Sequence, residues 1–321
     1  MDLWILSAYL LSAALILYAL GYQLSSSRPT YFQRLIQHHP KWLEQLPYFI
    51  LQFLFGGLLS ALFILYFKSA NHFFAVFWSL GLAALLIGNE YIDHHYHRFT
   101  LTWALFGLCA ILLFNFVLPF VIGSVYAIWF YLSTFAGALL THYLRKKTPS
   151  CPGRAWPVWL IAAILTLAYH LDFIPPVPLV KRDIQIGFEL KKLNGDIQLM
   201  QEQVPWYKPW RLLSNDLHVP TGQPVYCVSA IFAPQGINTT LYHRWEHYDK
   251  KHGWQTTSRM GFALSGGRNG GFRGYTYKRN IQSGEWRVKV ETENARTLTV
   301  YHFNLYTEPA SDIRLEPKTI N

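Results

Sequence analysis

Over 321 residues the chain is 51% hydrophobic and only 14% charged, with 28 Lys and Arg against 18 Asp and Glu. The surplus divides into +4 for residues 1–179, nine basic against five acidic, and +6 for residues 180–321, 19 against 13; the first part follows from membrane topology, and a basic domain beside a membrane meets anionic head groups or wall polymers, so no nucleic-acid partner is expected. Three cysteines, Cys109, Cys151 and Cys227, fall in three different compartments under the topology below, which excludes an intrachain disulfide.

Residues 1–173 are predicted to form a six-helix transmembrane domain. A helix needs roughly 17 to 25 mostly apolar residues to cross the bilayer, and six such stretches run about Leu3–Tyr22, Leu46–Phe67, Phe73–Asn89, Phe99–Leu118, Gly123–Leu144 and Ala155–Phe173. The first lacks the basic flank of a secretory signal and its apolar run is longer, so it reads as a retained helix. Of the nine Lys and Arg before position 180, eight (Arg28, Arg34, Lys41, Arg98, Arg145, Lys146, Lys147 and Arg154) lie in odd-numbered connections and only Lys68 in an even one. Positive charge marks the cytoplasmic side, so the N-terminus and everything after the sixth span are expected outside, in a lipid bilayer that is the protein's first partner. Charged residues stay at the span ends, and Gln52 and Asn115 are the main polar residues at depth, which argues against a transporter with an intramembrane relay.

Residues 174–221 read as a Pro/Trp-rich linker and lead-in segment. It opens on Phe173-Ile-Pro-Pro-Val-Pro-Leu179, whose prolines stop a helix, and continues through Trp206 and Trp210 without a clear period. From 222 to 321 the period becomes two. Val225–Phe232, Leu241–Tyr248, Trp254–Leu264, Phe272–Lys278, Glu285–Glu293 and Thr297–Tyr306 read as strands between turn signals, giving an all-β, immunoglobulin-like antiparallel sandwich. In Gly284–Val290 the alternation puts Trp286, Val288 and Val290 on a buried face and Arg287 and Lys289 on a wet one.

The strings VYCVSAIFAP, LYHRWEHYD, GGFRGYTYKRN and GEWRVKVE, in that order, resemble the bacterial domain-of-unknown-function family 2914 (DUF2914). NEYIDHHYHRFTL and IPPVPL resemble the six-span membrane region that precedes the domain in some proteins. The resemblance implies a bacterial inner-membrane protein with a periplasmic C-terminal domain, and implies no activity.

Three constellations could carry chemistry. Glu90, Asp93, His94 and His97, at the cytoplasmic end of the third span, could ligate a transition metal if the helix continues through them, against the plainer reading of a polar interfacial turn. In Tyr242–Tyr248, His243 and His247 share a strand face but stand roughly 13 Å apart, too far for one metal, so Trp245 between them reads as a core anchor. In the third, the glycine-rich 265–271 stretch lacks the rest of a P-loop and reads as a long hairpin loop. Beside it Arg273, Tyr275, Tyr277 and Arg279 alternate onto one face, suited to stacking on sugars and pairing with phosphate or carboxylate, unless the tyrosines fill the core.

No Ser-His-Asp, Walker or Rossmann pattern is present, and no cofactor is expected. The first expectation is therefore a non-enzymatic envelope protein whose outer sandwich binds an anionic glycan, a lipid head group or an envelope protein. The competing one is an enzyme or enzyme subunit acting on a lipid-linked substrate at the Glu90 patch.

Overall fold

In the computed structural model of the chain the described residues are 3–25, 42–69, 73–91, 99–148, 153–174, 176–193, 196–203, 215–220, 222–265, 271–307 and 315–320. They fall into two units, a helical one and a β one, and residues 122–126 belong with the second.

The described part of the helical unit contains α1 (Leu3–Ser25), α2 (Trp42–Ser69), α3 (Phe73–Tyr91), α4 (Phe99–Ile122), α5 (Ala127–Lys147) and α6 (Trp156–His170). Among the described residues three stretches, Leu3–Gly21, Gln45–Phe67 and Phe99–Ile122, are long and apolar enough to cross a membrane, against the six expected. Two of the others fall short for visible reasons: with 15 residues α6 rises about 22 Å, below the ~30 Å of a hydrocarbon core, and α5 ends on Arg145, Lys146 and Lys147.

The polar residues noted at depth tie helices together. Gln52 Nε2 donates to the Asn89 carbonyl and Asn89 Nδ2 to the Gln52 carbonyl, both at 3.2 Å, linking α2 to α3. Asn115 Oδ1 accepts from Thr134 at 3.3 Å and from Ser133, linking α4 to α5. Where those two helices meet, a Cβ on Gly137 would lie 2.8 Å from the Ile111 Cα, so the backbones approach as only a small residue allows.

The β unit contains β1 (Val180–Gly187), β2 (Leu190–Leu193), β3 (Asp196–Glu202), β4 (Asp216–His218), β5 (Val225–Phe232), β6 (Asn238–Asp249), β7 (Gly253–Ser265), β8 (Phe272–Lys278), β9 (Gly284–Thr292), β10 (Thr297–Tyr306) and β11 (Leu315–Thr319). They make three sheets, ordered β1-β5-β8, β4-β10-β9-β6-β7 and β11-β3-β2, antiparallel except for the β4–β10 pair. The first two share the main core, with Ile184, Ile186, Cys227 and Ile231 on one side and Trp245, Trp286, Val288, Val290 and Phe303 on the other. On the reverse face of β5, Val228 and Ala230 pack against Ile197 and Leu199 of β3. Burial on both faces explains why β5 reads as a nearly unbroken apolar run, Val225-Tyr-Cys-Val-Ser-Ala-Ile-Phe232.

Two expectations are corrected here. The 174–221 stretch is more than a linker, since it supplies β1 to β4, with β1 pairing along β5 from Val180↔Phe232 to Gly187↔Tyr226. The reading of 265–271 as a hairpin loop also fails, because β7 and β8 belong to different sheets; residues 266–270 themselves lie outside the described residues.

Candidate functional site

The face read from the sequence on β8 exists. Because Phe272, Gly274 and Thr276 turn inward, Tyr275 and Tyr277 turn outward and are 39% and 49% exposed, so they do not fill the core. Val228↔Tyr275 and Tyr226↔Tyr277 are register partners, which sets Tyr226 beside Tyr277 with ring centroids 5.6 Å apart. Cations lie over these rings: Lys192 Nζ is 5.0 Å from the Tyr275 centroid and the Arg279 guanidinium 5.9 Å from that of Tyr277. Arg273 sits two residues before Tyr275 on the same face, half-buried. All four predicted residues are thus brought together, joined by Lys192 and Tyr226, which no local pattern links to them.

On the inner side of β8 lies a polar network. His243 is fully buried, its Nε2 2.8 Å from Ser229 Oγ and its Nδ1 2.9 Å from Thr276 Oγ1, and Trp245 Nε1 donates to the same Thr276 oxygen at 3.2 Å. Burial depresses the imidazole pKa to about 3. A neutral, inaccessible histidine with hydroxyl partners holds sheets together rather than activating Ser229. Trp245 is fully buried, as its anchor role requires.

The solvent face of the five-stranded sheet carries a charged lattice that inspection strand by strand does not reveal. Glu246 and Glu291, each 1% exposed, are held by cations from three strands. Glu246 meets Arg244 at 2.9 Å, Lys289 at 3.4 Å and Arg287, while Glu291 meets Arg259 at 2.6 Å and Arg244 at 3.7 Å. Burial pushes the Glu246 pKa up, but the Arg287 hydrogen bond and the charges of Lys289, Arg287 and Arg244 outweigh it and hold the carboxyl below its ordinary value. Only the Arg287/Lys289 alternation hinted at this face; the cross-strand register assembles it.

Of the proposed metal set, Asp93, His94 and His97 lie outside the described residues, and Glu90 is placed near the end of α3 by its backbone alone. Among the described residues no group of three or more His, Cys, Asp or Glu is placed to hold a metal ion.

These features define a class: a helical N-terminal part with, among the described residues, three stretches apolar and long enough to cross a membrane, followed by a β-sheet domain. More particularly, residues 238–305, from β6 into β10, match the family model described as protein of unknown function (DUF2914). No curated protein matches the chain. Similar solved structures include an immunoglobulin-like protein from Pseudomonas aeruginosa, at 11% identity and TM-score 0.22, covering 38% of this chain and 96% of that one. A β-glucosidase from Listeria innocua in complex with gluconolactone shows 11% identity and TM-score 0.23 over 35% of this chain and 16% of its own. One from Kluyveromyces marxianus in complex with glucose shows 9% and 0.18, over 48% and 17%. The chain thus spans about a sixth of the β-glucosidases' length.

Proposed function

We propose that this chain is a multi-pass protein of the bacterial inner membrane, with its N-terminus and β domain in the periplasm, and that the β domain is a binding module for an anionic envelope glycan. The observation that carries the reading is the exposure of Tyr275 and Tyr277 beside Lys192, Arg273 and Arg279. Half-exposed rings with adjacent cations provide a stacking surface for sugars and partners for their carboxylates or phosphates. The eight-to-one division of loop charges supports six crossings, with α3, α5 and α6 completing the set, and supports an outer location for the C-terminal half.

Topology is tested by fusing a reporter active only in the periplasm; it should work after Asn321 and fail within Lys146–Arg154. Binding is tested with the full chain in phosphatidylcholine nanodiscs and polygalacturonate as the anionic polysaccharide. Tyr275→Ala/Tyr277→Ala and Arg273→Ala/Arg279→Ala should each weaken retention, the second pair more at low salt than at moderate salt, where the Debye length falls to about 8 Å. Equal retention of wild type and both variants would make the face structural. Absence of retention by the wild type would favour an envelope protein as partner.

A further inference from the structure

The lattice on the five-stranded sheet holds more positive charge than its own carboxylates need. Register sets Arg244 opposite Arg259 on β7 and opposite Lys289 on β9, a row of three cations across neighbouring strands. Strands lie about 4.8 Å apart, and like charges directly opposite one another are destabilising. A face built only for stability would alternate signs at these positions. Here four cations, Arg244, Arg259, Arg287 and Lys289, surround two buried carboxylates, Glu246 and Glu291, leaving a surplus of two within the lattice, with the exposed Glu285 the next charge on this face of β9. The carboxylates fix the side chains in place, with Arg259 held further by the Thr292 and Glu293 carbonyls and the Tyr242 ring.

The surroundings indicate its form. The guanidinium of Arg287 lies 4.2 Å from the Trp254 ring centroid, and that ring contacts His302 at 5.5 Å and Tyr248 at 5.3 Å, the latter 40% exposed. Beyond them the β6–β7 turn presents Lys250 and Lys251, both exposed. From Arg244 to Lys250 is six residues of strand, roughly 20 Å. The cations therefore extend both across the strands, in the Lys289–Arg244–Arg259 row, and along them toward the turn lysines. The lattice cations are recessed, with side chains 34% exposed for Arg244, 37% for Arg259, 19% for Arg287 and 21% for Lys289. A planar bilayer surface meets projecting cations, whereas groups on a flexible chain reach recessed ones. Phosphate suits the row because its several oxygens accept from cations on two adjacent strands at once.

We propose that this sheet face is a second binding site, distinct from the β8 face, and that it takes a linear polymer bearing phosphate groups, seated along Lys250, Lys251, Arg287, Lys289 and Arg244. It lies on the other sheet of the main core, so it stands or falls independently of the β8 reading.

The test uses the full chain in phosphatidylcholine nanodiscs and fluorescently labelled inorganic polyphosphate, with neutral dextran as control. Lys250→Gln/Lys251→Gln/Lys289→Gln leaves Glu246 paired with Arg244 and Arg287, so the fold is retained, as unchanged thermal unfolding would confirm. It should lower polyphosphate affinity about tenfold or more and flatten the dependence of log K on log salt by about two, roughly 0.7 for each of the three lost phosphate contacts. Glu291→Gln, which raises the surplus from two to three, should tighten binding. Because the β8 cations can also pair with phosphate, the comparison is repeated in an Arg273→Ala/Arg279→Ala background, where the triple substitution should lower affinity by the same factor. Equal affinity with and without the triple substitution in either background, or binding no stronger than to dextran, would overturn the proposal.

Discussion

Acidification should destabilise the β domain, chiefly through His243. Its ring is fully buried, and its hydrogen-bond partners are the hydroxyls of Ser229 and Thr276. Burial therefore lowers its pKa from an unfolded value near 6.5 to about 3. A depressed folded-state pKa means the unfolded chain takes up the proton first. The contribution of His243 is complete above pH 6.5 and is lost as pH falls below it, at about 1.4 kcal/mol per unit. Between pH 7 and pH 5 the loss is about 2 kcal/mol, and the window stays above the ordinary carboxylate range near pH 4, where acid-labile ion pairs begin to fail. His302, lowered by its own burial and by Arg287 and Lys289, adds a loss of the same sign, so a variant must isolate His243. Pulse proteolysis of the full-length protein across a urea series at both pH values measures the difference. In His243→Gln the wild-type stability at pH 7 should fall, while the further loss on going to pH 5 should shrink by about 2 kcal/mol. Equal acid losses in wild type and variant would refute the assignment.

Trp286 is 3% exposed and donates from Nε1 to the Gln282 carbonyl at 2.8 Å, so Trp286→Ala should cost about 3 to 5 kcal/mol, read from the urea midpoint. A Cβ on Gly274 would fall 2.1 Å from the Phe262 ring; Gly274→Ala should therefore cost about 1 to 3 kcal/mol, and adding Phe262→Leu should recover part of it. Because Ile184 and Ile186 of β1 lie in the main core, a fragment of residues 176–321 should show a cooperative unfolding transition by circular dichroism. A fragment of 222–321 should show none, and a cooperative transition in the shorter one would count against β1 as an integral strand.

How far this fold could be read from the sequence depended on how each residue's environment repeats along the chain. Strands β5, β8 and β10 match their expected bounds because apolar and aromatic residues there dominate every second position or the whole run. β1 was hidden because Lys181, Arg182 and Asp183 precede its two core isoleucines, and β11 because Leu315-Glu-Pro-Lys-Thr319 has no alternation and its partner is distant β3. The same logic separates the two candidate faces. Tyr275, Tyr277 and Arg273 lie on one strand, where period two alone aligns them, and Arg279 follows just beyond its end. Arg244, Arg259, Arg287 and Lys289 come from three strands, and their side chains meet only through registers such as Arg244↔Lys289 that span 45 positions of sequence. A local pattern can report a face but not a cross-strand row. The helical half shows the complementary limit: Asn115 and Gln52 stood out as polar residues among apolar ones, yet their hydrogen bonds to Thr134 and Asn89 are set by helix pairing that hydropathy does not encode.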